Sequence, residues 1–150
     1  MAHELLDAPN RQILELLQSD GRISYNQIAR RVGLSTPTVI ERIRKLEDAG
    51  IINGFTVRLD LEKLGYTVMA LIEVKTNPTS YPRVLEFAKT QAQIRECYFV
   101  TGDSSFVARV VMQDIAELQS WIERLGMFGA TRTSVVLSKP IIKETFEIVS

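Results

Sequence analysis

Six basic side chains fall close together, Arg22, Arg30, Arg31, Arg42, Arg44 and Lys45. The one acid among them is Glu41, which leaves residues 22–45 at a net +5. Residues 1–21 run the other way, with Arg11 against Glu4, Asp7, Glu15 and Asp20, a net −3. A compact basic segment in a chain that is neutral overall, with 18 Lys+Arg against 18 Asp+Glu, has the charge to neutralise phosphates. A solvated helix face carries the same residues, so charge alone leaves both readings open. Hydroxyls offer a second chemistry. Thr101, Ser104 and Ser105 surround Gly102 and Asp103, and Thr131, Thr133 and Ser134 surround Arg132. Hydroxyls and backbone amides at a glycine turn can grip a small zwitterion, although ordinary turns use the same residues.

The chemistry that is missing narrows the field. The chain has one histidine, His3, and one cysteine, Cys97, so a Ser-His-Asp triad, a Cys-His pair and a His-rich zinc site all lack parts. No nucleotide-binding glycine motif is present either, which argues against an enzyme. A single cysteine forms no internal disulfide and fits a reducing cytoplasm. Cys97 reads as a buried structural thiol in a strand, and Trp121 as core. With 45% hydrophobic and 24% charged residues the composition is that of a globular protein. No apolar run approaches the ~20 residues a membrane span needs, and residues 1–10 contain no apolar signal core, so no membrane partner is expected.

The elements that must position the basic segment are helical. Asp7 caps a first helix with Pro9 in its first turn, and Asp20-Gly21 ends it. Ser24 caps a second, which Gly33 ends, and Ser35 caps a third over residues 36–49, stopped by Gly50. Two short helices joined by Gly33, Leu34 and Ser35 form a helix-turn-helix. Val39, Ile43 and Leu46 mark the inward face of the third helix. Pro37, Glu41 and Arg44 then point outward, with Thr38 and Lys45 beside them, Thr36 in the first turn and Arg42 on the flank. Thr36, Pro37, Thr38 and Glu41 are therefore the candidate readers of base edges. Arg44 and Lys45, with Tyr25 at the start of the second helix, are the candidate phosphate contacts, and Arg42 on the flank completes the DNA-binding set. Residues 51–59 read as a strand with an Asn53-Gly54 turn, which favours a winged version of the motif.

The second half alternates differently. Strands are expected over 66–74, 94–100, 106–112 and 131–138. Helices are expected over 81–91, with Val84, Leu85, Phe87 and Ala88 inward, and over 115–127, with Leu118, Trp121, Ile122 and Leu125 inward. The order is βαββαβ, the ferredoxin-like plan. With both helices on one face of the sheet, the other face needs cover, and two such sheets packed together make a symmetric dimer. The fold class is thus α+β: residues 1–52 a winged helix-turn-helix, 53–65 a linker strand and turn, and 66–150 a ferredoxin-like dimerisation domain.

The run Asp20-Gly21-Arg22-Ile23-Ser24, then Ile28-Ala29, Val32-Gly33-Leu34-Ser35, Val39, Arg42-Ile43, Leu46-Glu47, Gly50-Ile51-Ile52 and Gly54-Phe55 resembles the Lrp/AsnC family of transcriptional regulators. The resemblance implies double-stranded DNA as a partner and a homodimer that assembles to a tetramer or octamer. It also implies an amino-acid effector, with no other cofactor, held where the loop 101–105 meets Thr131, Thr133 and Ser134. One position departs from the family pattern: Ser105 stands where an aspartate is often found and supplies no charge for an ammonium group. On that view Ser105→Asp tightens amino-acid binding. Two functions stay open at this point, a regulator that responds to an effector and an architectural protein that bends or wraps DNA without one.

Overall fold

The computed structural model describes residues 5–148; His3 lies outside them. The chain falls into two units, one of Met1–Arg58 with Ile141–Ser150, the other of Leu59–Pro140.

The first unit holds α1 (Ala8–Ser19), α2 (Tyr25–Val32) and α3 (Thr36–Asp48). Each start is a capped turn of the kind the sequence indicates. Asp7 accepts from the Asn10 amide, Ser24 from Gln27 in a reciprocal capping box, and Ser35 from Thr38. Gly33 ends α2 at φ 72, where any side chain would strain the backbone, and the Leu34 amide returns to the Ala29 carbonyl at 3.0 Å. That tight exit directs the chain into α3 within three residues. Ile13, Ile28, Val39, Ile43 and Leu46 are almost completely buried and form the centre of this unit.

The second unit is a four-stranded antiparallel sheet with two helices. Its elements are β1 (Val68–Lys75), a 3-10 turn (Pro78–Ser80), α4 (Tyr81–Thr90), β2 (Ile94–Phe99), β3 (Phe106–Met112), α5 (Ile115–Gly126) and β4 (Ala130–Val135). The strand order β2-β3-β1-β4 is the ferredoxin-like arrangement expected from the sequence. Alternate residues of β1, Val68, Ala70, Ile72 and Val74, face a core shared with Val84, Trp121 and Leu125 of the helices. Met69, Leu71 and Glu73 occupy the opposite, helix-free face. Gly129 sits at φ 154 as the chain enters β4, and a Cβ there would collide with the Lys75 carbonyl. Only glycine lets β4 approach β1 so closely.

Four expectations are corrected. Residues 51–59 form no strand, because they find no ladder partner among the described residues; Phe55, Val57 and Leu59 are left exposed. The last strand ends at Val135 rather than at residue 138. Leu85 of α4 is exposed, and that helix inserts Val84 and Phe87 instead. The residues from Ile141 onward group with the first unit, not with the sheet. The side-chain amide of Gln18 clasps the Phe146 backbone there, accepting from its N–H at 2.7 Å and donating to its carbonyl at 3.1 Å.

Candidate nucleic-acid interface and effector loop

The first turn of α3 is fixed by hydroxyls. Ser35 Oγ accepts from the Thr38 amide at 3.3 Å and lies 2.7 Å from Thr38 Oγ1. Thr36 Oγ1 donates to Asn26 Oδ1 at 2.8 Å, which ties α3 to the start of α2. Pro37, Ile40, Glu41, Arg44 and Lys45 are exposed along the outer face of α3, while Thr36 and Thr38 are half-buried. Thr36, Pro37, Ile40, Glu41 and Arg44 line a shallow depression on that face. Tyr25, Arg22, Arg30 and Arg31 are exposed on the neighbouring turn and on α2.

The charges on α3 are ordered by short pairs. Lys45 Nζ lies 2.8 Å from Glu41 Oε1, and Arg44 Nε lies 3.9 Å from Asp48 Oδ2, each one helical turn apart. The hydrogen bond from Lys45, and then its charge, hold the Glu41 carboxyl below its ordinary pKa. Glu41 is thus a neutralised neighbour rather than a bare repulsive charge facing phosphate.

Arg42 departs from the sequence expectation. Its Nη1 donates to Asp7 Oδ2 at 2.8 Å and to Asn10 Oδ1 at 3.0 Å. The guanidinium is therefore committed to α1 rather than presented with Arg44 and Lys45. Burial pushes the Asp7 carboxyl up, but the Asn10 amide and Arg42 outweigh it and hold the pKa below its usual value. Ile40 was missed by sequence reasoning. Its signal is an apolar residue on the outward side of a charged helix, next to a Val39 that already serves the core.

In the second unit the loop between β2 and β3 carries Thr101, Gly102, Asp103, Ser104 and Ser105. Thr101, Gly102 and Asp103 are exposed at its tip, with Gly102 at φ 114. Ser105 is buried and fastens the loop to the end of β1. Its amide donates to the Val74 carbonyl at 2.9 Å, its Oγ donates to the Thr76 carbonyl at 3.0 Å, and the Thr76 amide donates to that Oγ at 3.3 Å. Ser105 is a structural latch, not an open ligand group. Ser104 turns the other way and donates to Glu73 Oε2 at 2.7 Å. Glu73 faces Arg132 across β1 and β4, with Arg132 Nη1 4.0 Å from Glu73 Oε1.

Two of the β4 candidates face away from this cluster. Thr131 and Thr133 pair in register with Val74 and Ile72, whose side chains enter the core, so they share the helix side. Thr133 Oγ1 is buried there without a partner. Ser134 stays exposed on the helix-free side, opposite Leu71. The structure thus brings Ser104, Glu73 and Arg132 together. Sequence reasoning left Glu73 out of the site and met Arg132 only as a member of the segment 131–134, although Glu73 is the one charge in the apolar run Val68 to Val74.

Nearby on the helix-free face, Arg109 grips Glu96 with Nε at 2.8 Å and Nη2 at 2.5 Å, and Tyr98 donates to Glu96 Oε2 at 2.6 Å. Cys97 is half-buried toward the helices, and burial pushes its thiol up, as befits a structural cysteine. Among the described residues no group of three or more His, Cys, Asp or Glu could hold a metal ion, and no helix is long and apolar enough to cross a membrane.

A helix-turn-helix whose second helix exposes Arg44 and Lys45, joined in one chain to a ferredoxin-like sheet, defines a class of DNA-binding regulators. The comparisons agree. Residues 6–53 match a model of winged helix-turn-helix DNA-binding domains, and residues 69–146 match the Lrp/AsnC ligand binding domain. The chain is 38% identical to the leucine-responsive regulatory protein of Rhizobium meliloti over 120 residues, covering 78% of this chain and 77% of the relative. The solved structure of AsnC from E. coli superimposes with a TM-score of 0.88 at 29% identity, covering 95% of this chain and 99% of that one. The Neisseria meningitidis regulator NMB0573, solved as an L-Met complex, shares the fold with a TM-score of 0.86 at 24% identity, covering 93% and 94%. This chain belongs to the Lrp/AsnC family and is a DNA-binding transcriptional regulator.

Proposed function

We propose that α3 enters the major groove of its operator and that the second unit takes an amino acid as effector at Ser104, Glu73 and Arg132. The observation that carries the first half is the outer face of α3. Pro37, Ile40 and Glu41 are exposed in its first turns, while Arg44 and Lys45 follow about two turns after Pro37 and Thr38, where a helix lying in the groove meets the backbone. Tyr25, exposed at the start of α2, reaches a neighbouring phosphate. Thr36, Pro37, Thr38 and Glu41 form the part of α3 nearest the bases, and Arg42 supports the helix from behind.

The second half rests on charge. A free amino acid presents an ammonium and a carboxylate, and burying either without a partner is unfavourable. The anion absent at Ser105 is supplied from β1 by Glu73, and Arg132 supplies the cation. Thr101, Gly102 and Asp103 stand exposed on the same loop and close over the ligand. The helix-free sheet face, with Leu71 exposed and Met69 and Val107 half-buried, is the face on which two copies pair. Glu73 and Arg132 lie at the end of that face, so an effector held between them alters dimer pairing and growth to a tetramer or octamer. The leucine-responsive relative and the L-Met complex of the Neisseria protein support an amino acid as the ligand class.

Thermal denaturation of the full chain against each of the twenty amino acids tests the effector. At least one raises the melting temperature in proportion to ln(1 + [L]/Kd), and Glu73→Gln abolishes the rise. If none does, the effector half fails. Glu73 and Arg132 then simply satisfy each other, and the chain is an architectural protein that bends or wraps DNA without an effector.

A further inference from the structure

The polar groups on the outer face of α3 are largely committed to protein partners. The Thr36 hydroxyl donates to Asn26, the Thr38 hydroxyl is tied to Ser35 Oγ, and Glu41 is paired with Lys45. Apart from Arg44, whose contact with Asp48 is a 3.9 Å exposed ion pair, what remains in the depression is apolar, namely Pro37 and Ile40, and Ile40 is 46% exposed. Packing does not explain it, because Val39, Ile43 and Leu46 supply the buried face of the helix. A β-branched side chain on a helix is held near one rotamer, so Ile40 presents its methyl groups to solvent in a nearly fixed position. Exposed basic residues on the same motif, Arg30, Arg31 and Arg44, match the charge of a nucleic-acid backbone.

We infer that Ile40 is a specificity residue that reads the C5 methyl of a thymine in the major groove. The inference deepens the proposed placement of α3 and rests on it. Thymine is the one standard base that displays a methyl group in the major groove, so an apolar contact there selects it over the other three. With its hydroxyls engaged at the helix start, this face of α3 is better equipped for apolar readout than for hydrogen-bond readout.

The test begins with duplexes selected from a random-sequence library by the full-length protein. Each thymine of a selected duplex is then replaced singly by deoxyuridine, which removes only the methyl. At one position in each half-site the native protein loses about fourfold in affinity, the factor expected for burying one methyl group. Ile40→Ala binds thymine and deoxyuridine alike at that position, with an unchanged melting temperature. The assignment is overturned if no replacement lowers the native affinity, if Ile40→Ala retains the full penalty, or if the library yields no preferred sequence. Arg44→Ala on random duplexes separates the two levels. Unchanged binding removes α3 from the groove altogether, whereas weakened binding with no effect of deoxyuridine removes Ile40 alone.

Discussion

Arg42 on α3 closes on Asp7, the residue that caps α1, with Nη1 at 2.8 Å from one carboxylate oxygen and 3.0 Å from the other. The same nitrogen donates to Asn10 Oδ1, and the buried Asn10 in turn donates its Nδ2 to the Leu5 carbonyl at 2.7 Å. One arginine thereby holds a helix cap, a buried amide and α3 in a single network.

Arg42→Ala is therefore expected to act on stability rather than on binding. Removing it strands the Asn10 carbonyl oxygen and half of the Asp7 carboxylate. The side chains of Arg42 and Asp7 are 28% and 43% exposed, which discounts the ion pair. The expected loss is about 1–2 kcal/mol by urea denaturation. The folded variant should bind DNA within about twofold of the native protein, because Arg42 faces α1. A large loss of affinity at unchanged stability would return Arg42 to the DNA surface.

Arg44→Ala and Lys45→Ala are expected to do the reverse. Both residues are exposed, and their intrahelical pairs contribute little to stability. Each should weaken binding to operator and random duplexes alike and reduce the slope of log affinity against log salt by about 1. Filter binding or anisotropy from low to physiological salt measures it. An unchanged slope would mean that neither residue meets a phosphate.

The helical unit was legible because every boundary in it is local. Asp7, Ser24 and Ser35 cap, and Gly33 and Gly50 stop, each within a few residues of what they act on. What stayed hidden depends on partners distant in sequence. A helical wheel places Arg42 on the flank but cannot show Asp7 across the unit. Residues 51–59 have strand-forming side chains, yet a strand requires a neighbour, and the described residues offer none. In β2 a register shift between Ile94 and Glu96 lets Ile94 and Cys97 both face the helices, which strict alternation forbids. Hydroxyl chemistry suggested Thr131 and Thr133, whereas strand register turns them inward and brings forward Glu73 and Arg132 instead.

The same register reverses the expectation for Ser105→Asp. Ser105 Oγ donates to the Thr76 carbonyl, and a carboxylate has no proton to offer there. The variant sets a buried charge against a carbonyl oxygen, relieved only in part by the Thr76 amide. It should destabilise the second unit by about 1–3 kcal/mol without tightening amino-acid binding. Urea denaturation and calorimetric titration of the two proteins decide it. A gain in amino-acid affinity at unchanged stability would show the loop turning Ser105 outward.

The Arg109–Glu96 pair predicts a specific acid sensitivity. The hydrogen bond from Arg109, and next that from Tyr98, lower the Glu96 pKa from 4.5 to about 2. A carboxyl depressed in the folded state binds fewer protons there than in the unfolded chain. Its stabilisation is therefore fully present above the unfolded value near 4.5 and is lost as pH falls toward 2. The Glu96 side chain is 39% exposed, so solvent screening reduces the contribution to roughly 1 kcal/mol. Glu96→Gln keeps an acceptor for Arg109 but has no proton to gain. The native protein should exceed this variant by about 1 kcal/mol at pH 7 and lose that advantage progressively as pH falls below about 4.5, with more than half of it gone at pH 3. Urea midpoints of both proteins at pH 7, 5, 4 and 3 provide the comparison. A gap that stays constant with pH would mean that glutamine disturbs the Arg109 and Tyr98 geometry, and that the charge of Glu96 is not what stabilises the sheet.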